Sequence, residues 1–80
     1  MDEVQPSELK LLFRNRLKEL RAQRHLSQAS LAEKIGAQQP YIAALESGDR
    51  TPTLETIGKL SEALEFPPHF FLTEDVAAVV

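Results

Sequence analysis

The sequence predicts an all-α fold, a bundle of five helices forming one small domain. Three observations lead there. Apolar residues recur at three- and four-residue steps in successive stretches, the spacing of half-buried helices. Joints between those stretches are marked by glycine or proline, at Gly36, Gly48, Pro52 and the Pro67–Pro68 pair. The chain has 80 residues, 42% of them hydrophobic and none cysteine, which suits one modest core without a disulfide framework.

The first helix is expected to start near Ser7, an N-cap preceded by Pro6 and followed by Glu8 at the positive helix end. Leu9, Phe13, Leu17 and Leu20 then fall at steps of four, four and three, a core stripe, with Arg14, Lys18 and Arg21 elsewhere around the cylinder. The helix should end near Arg24, with His25 in the corner, because histidine is among the residues enriched at positive φ. His25 and His69 are the only histidines and cannot make a metal-ligand set by themselves.

The stretch from Ser27 to Gly48 organises the chain. Ser27 is the natural N-cap of a second helix, Gln28 to Ile35, although Ser30 stands where a glutamate would complete a capping box. Leu31, Ala32 and Ile35 share its apolar face, and Gly36 follows where a left-handed residue is needed. A third helix carries Ile42 and Leu45 on its buried side. Two helices joined by a short turn containing glycine cross at a steep angle, so one contact residue must be small, and Ala32 is placed for it. Together these features make a helix-turn-helix signature.

The stretch from about Arg16 to Leu72 resembles the lambda-repressor/Cro-type (XRE) helix-turn-helix family. LKELR, LSQASLAEKIG, YIAALESG, RTPTLETIGKLSEAL and PHFFL carry the likeness, in the family's order and spacing. The resemblance implies a five-helix lambda-repressor-like bundle that binds double-stranded DNA. It assigns Ser27 and Gln28 to the phosphate backbone and makes the third helix the reader. From Ile35 to Leu45 there is no charged residue, so the exposed side of that helix is built from Gln38, Gln39, Tyr41, Ala43 and Ala44. Glutamine can pair bidentately with adenine N6 and N7, and an alanine methyl can pack on the thymine methyl.

Gln39 matches the family's base-contacting glutamine, but Pro40 is a departure. Proline suits the first helical position and disfavours helical φ/ψ in the residue before it. Gln39 is therefore either a base reader or the N-cap of the third helix. By the same resemblance, Glu46 is the acidic partner of Arg21, and the loop Ser47, Gly48, Asp49, Arg50 lies along the DNA backbone with Arg50 on a phosphate.

Thr53 is expected to cap a fourth helix, with Leu54, Ile57, Leu60 and Leu64 as its core stripe. Pro67 and Pro68 stop the chain and restart it as HFFL. Phe70, Phe71 and Leu72 exceed what one face of a single turn can bury, and the tail adds Val76, Val79 and Val80. Phe70, Phe71, Leu72 and Val76 are thus candidates for a dimer surface. The domain is read as residues 7–72, with 73–80 an apolar tail.

Net charge is −3, which does not by itself suggest nucleic acid. Its distribution does: residues 10–34 hold seven basic side chains against Glu19 and Glu33, while the rest of the chain holds Arg50 and Lys59 against ten acids. No apolar run reaches the ~18 residues of a membrane span, the acidic N-terminus is unlike a signal peptide, and the chain reads as cytoplasmic. There is no nucleophile–base pair, phosphate-binding glycine loop or ligand cluster, so neither an enzyme, a cofactor nor a small-molecule ligand is indicated. The expected function is a transcription regulator acting as a homodimer on an inverted-repeat operator. An antitoxin or protein-interaction module of the same fold is the alternative.

Overall fold

A computed structural model describes residues 6–72. It contains four α-helices, α1 (Pro6–Gln23), α2 (Gln28–Lys34), α3 (Gln39–Ser47) and α4 (Leu54–Leu64), and a closing 3-10 turn, Pro68–Leu72. Among the described residues there is no strand. The expected fifth helix is only this 3-10 turn. Five residues that begin on Pro68, just behind Pro67, leave room for little more than the Phe70 N–H to Pro67 carbonyl bond, 3.0 Å.

α1 begins at Pro6, one residue before the expected cap at Ser7. Its buried face is Phe13, Arg16, Leu17 and Leu20, and the three apolar ones pack with Leu31, Ala32, Ile42, Leu45, Leu60, Leu64 and Phe71. Two expected core residues are not buried. Leu9 is 39% exposed, because the first turns of α1 run past the core and border an open groove. Leu54 is 87% exposed: six residues before Leu60, it lies about 120° around the cylinder, off the face that Leu60 and Leu64 define.

Three helices end in the same way. His25, Gly36 and Glu65 are left-handed, with φ of 57°, 72° and 59°. Behind each, an N–H reaches back five residues: Leu26 to Arg21, Ala37 to Ala32, and Phe66 to Ser61. His25 and Gly36 were expected in this role; Glu65 was not. Arg24 reinforces the α4 end, donating to the carbonyls of Leu64 at 2.7 Å and Glu65 at 3.1 Å, with its guanidinium over the Phe66 ring. α3 closes on Gly48 at φ 89°, again as expected.

At the front of α2, Ser27 caps as expected. Its hydroxyl accepts from the Ser30 N–H at 3.0 Å and donates to the Ser30 hydroxyl at 2.9 Å, a side-chain bond in place of the one a capping-box glutamate would make to the Ser27 N–H. Thr53 caps α4 in the same fashion through Thr56. Ala32 is buried beneath the α2–α3 corner, as its size suggested.

Phe71, expected on a dimer surface, belongs to the protomer's own core. It is fully buried, with its ring centroid 5.4 Å from that of Phe13. Phe70 is half-buried and Leu72 is 49% exposed. Val76 and the rest of the tail lie outside the described residues.

Candidate nucleic-acid interface

The exposed side of the α2–α3 unit is organised around one buried carboxylate. Glu46, on the last turn of α3, is 3% exposed and receives the Arg21 fork, with Nε at 2.6 Å from Oε2 and Nη2 at 3.0 Å from Oε1. This is the bidentate pair expected of these two residues. The third arm of Arg21 donates to the Leu26 carbonyl at 2.8 Å, which ties α1 to the corner before α2. The hydrogen bond to Glu46 raises the Arg21 guanidinium above its ordinary pKa, burial opposes that, and the charge of Glu46 adds to it.

Gln28 and Gln39 extend this pair to the surface. The Gln28 side-chain amide donates to Glu46 Oε1 at 3.1 Å, and the Gln39 amide donates to Gln28 Oε1 at 2.7 Å. Buried carboxylate, half-buried glutamine and exposed glutamine thus form a chain from the core to the outer end of α3. Neither glutamine contact was anticipated, because the sequence does not say how close the N-termini of α2 and α3 come.

Gln39 is not the N-cap of α3. That place is taken by Gln38, with extended φ −106° and ψ 151°, and Gln39 is the first helical residue. Pro40 then sits in the first turn, where N–H groups have no intrahelical partner and none is missed. Gln38 makes no side-chain capping bond and is exposed. Ala43 and Ala44 are half-buried one turn further on.

Tyr41 points elsewhere. Its hydroxyl lies 3.2 Å from the Thr56 hydroxyl, and the Arg50 guanidinium stands over its ring, 5.6 Å from the centroid. The loop after α3 is held from both sides. Ser47 donates through its hydroxyl to the Ala44 carbonyl at 3.2 Å and accepts from the Asp49 N–H at 3.3 Å. Arg14 Nη1 donates to the Ser47 carbonyl at 3.1 Å. Sequence reasoning counted Arg14 only as a basic residue, whereas it anchors the turn that carries Arg50.

The basic segment contributes less surface charge than its count suggests. Arg21 is committed to Glu46, Arg24 to the end of α4, and Arg16 is buried and paired with Glu19. Lys10, Lys18 and Lys34 are exposed, and Arg14 partly so. Among the described residues, no group of three or more histidine, aspartate or glutamate side chains could hold a metal ion. No helix there is long and apolar enough to cross a membrane.

A family profile described as helix-turn-helix matches residues 17–71. The HTH-type transcriptional regulator YgzD of Bacillus subtilis is 36% identical over 65 residues, which cover 79% of this chain and 98% of that protein. The CTXphi transcriptional repressor RstR of Vibrio cholerae is 34% identical over 56 residues, covering 70% of this chain and 50% of RstR, so the chain spans about half the length of that curated relative. Among solved structures, the restriction-modification controller protein C.AhdI of Aeromonas hydrophila is 37% identical, with a TM-score of 0.74 over 78% of this chain and 94% of that one. The chain belongs to the lambda-repressor/Cro-type (XRE) helix-turn-helix family of DNA-binding transcription regulators.

Proposed function

We propose that the protein is a cytoplasmic, sequence-specific regulator of transcription that binds an inverted-repeat operator as a homodimer, with residues 7–72 as its DNA-binding unit. One observation carries the reading: the exposed end of α3 presents Gln38 and Gln39 free of charge, and Gln39 is held from behind by Gln28 and Glu46. A polar side chain that is exposed yet oriented by a buried carboxylate is suited to recognition of base edges in the major groove. Arg50, beside Tyr41 on the following loop, supplies a phosphate contact. The Ser27 hydroxyl proton is engaged by Ser30, so the α2 end meets phosphate through backbone N–H groups and Gln28. Binding and regulation need no chemistry on the DNA, and no enzymatic role is assigned.

Dimerisation is supported by a groove of about 420 Å³ lined by Leu9, Lys10, Phe13, Thr51, Pro52, Ile57 and Leu72. Leu9 and Leu72 are exposed along it, and Leu54 is exposed one turn before Ile57. A second copy seated there covers apolar side chains that a domain of this size has no means of burying alone. The surface keeps Leu72 from the sequence reading and replaces Phe71 with α1 and α4 residues, while Phe70 packs against Phe66 and His69 instead.

Selection of binding sites from random duplex DNA, at stated salt, tests the proposal. Enrichment of an inverted repeat with half-sites one helical turn apart is the expected result. Absence of any enriched sequence excludes operator binding and favours a protein-interaction role for the same fold.

A further inference from the structure

We propose that Lys10 and Arg14 of α1 join Arg50 in a clamp on DNA phosphates, which makes the first half of α1 part of the DNA interface. The proposal rests on the reading of the Ser47–Arg50 loop as DNA-facing, and adds to that loop a helix outside the α2–α3 unit.

Lys10 and Arg14 are four residues apart on α1 and so share one face of it. That face meets the end of α3. Arg14 Nη1 donates to the Ser47 carbonyl at 3.1 Å. A Cβ on Gly48 would stand 3.2 Å from the same nitrogen and 3.8 Å from Lys10 Cε. Both side chains therefore close on one glycine, which admits them because it has no side chain of its own. Two residues further on, Arg50 is exposed, and its backbone N–H is fixed to the Ala44 carbonyl at 3.1 Å. Three cations surround a single turn.

The fold does not use up this charge. Asp49 is the one acid of the turn, and among the described residues it forms no ion pair with any of the three. Three positive charges against one negative leave a local excess of two. The partial negative charge at the C-terminus of α3 favours one neighbouring cation and does not account for three. Arg14 itself offers five N–H donors, of which the Ser47 carbonyl takes one, while its Nε is buried without a partner. A buried donor lacking an acceptor is costly, and a neutral amide would hold Ser47 without that cost. What the amide would lack is the charge. Repulsion among Lys10, Arg14 and Arg50 is relieved by an anion, and the successive phosphates of the strand that Arg50 meets supply it.

The test follows binding to duplex DNA of random sequence through a salt series begun at low salt, with Lys10→Met and Arg14→Gln. Methionine keeps the apolar stem that lines the α1–α4 groove, and glutamine keeps a donor for Ser47, so helicity should be retained in both. Each variant should lower the slope of log K against log salt by about 0.9 per protomer, and the pair by about twice that. Lys34→Ala, on the last turn of α2, should leave the slope as it is. Unchanged slopes in both α1 variants, with Arg50→Ala still lowering its own, overturn the clamp and leave the loop as the DNA contact. An equal fall in Lys34→Ala overturns it as well, because the loss of any surface charge would then have the same effect. If the wild-type protein binds no duplex at all, the DNA-binding reading fails and the clamp with it.

Discussion

At the scale of single residues, Glu46 and Arg21 hold the greatest leverage. Glu46→Ala leaves the Arg21 guanidinium and the Gln28 amide without their acceptor beside the core, and should cost about 3 kcal/mol, read by thermal or urea unfolding. A double-mutant cycle with Arg21→Ala separates the pair's coupling from loss of packing. The pH dependence of this pair follows from Arg21. Its folded-state pKa is raised, so its contribution is fully present below the ordinary arginine value and disappears only as pH rises through the raised one. Stability due to Arg21 should be flat through neutral pH and fall only in strong alkali. Arg50 is the surface counterpart. Arg50→Ala should weaken binding alike for all DNA sequences and lower the salt slope by about 1, and an unchanged slope would show that Arg50 touches no phosphate. The Arg21–Glu46 pair was legible in the sequence through the family's pattern. The Gln28–Gln39 contact was not, since it depends on how the Gly36 turn brings two helix N-termini together.

At the scale of elements, the helix ends tie sequence to stability. His25 holds a left-handed conformation that costs an L-residue about 1 kcal/mol, so His25→Gly should stabilise the domain and raise Tm by about 4–8 °C. Gly36→Ala should do the opposite by a similar amount. A Cβ at Gly36 meets nothing within 4 Å, so strain alone sets that cost. At Gly48 a Cβ would also stand 3.2 Å from Arg14 Nη1, and Gly48→Ala should cost more than Gly36→Ala in the same unfolding experiment. Helix periodicity located all four α-helices, and Ser27, Gly36, Gly48 and Thr53 announced their own roles by residue type. Glu65 did not, because glutamate is not a residue that advertises a left-handed cap. Leu54 misled for a related reason: at the first position of α4 its three-residue step to Ile57 kept the rhythm while the angle drifted off the core face.

For the whole molecule, charge and association matter more than any one contact. Three arginines of the basic segment serve the fold, so the DNA-facing charge is smaller than the sequence balance implied, and binding to random DNA should be weak at physiological salt. Leu54→Glu with Leu72→Glu changes two exposed side chains and leaves the core alone. The double variant should sediment as a folded monomer with much reduced operator affinity. A dimer that persists would place the interface away from the α1–α4 groove. Base reading by α3 through Gln39 is measured most directly by comparing wild-type protein with Gln39→Ala on the selected operator and on a panel of its single-base variants. The predicted result is a loss equivalent to ~1–3 kcal/mol on the preferred site and little loss elsewhere, with preference flattened at one A·T position per half-site. An equal loss on every variant, with thermal stability unchanged, would contradict it and make Gln39 a phosphate ligand.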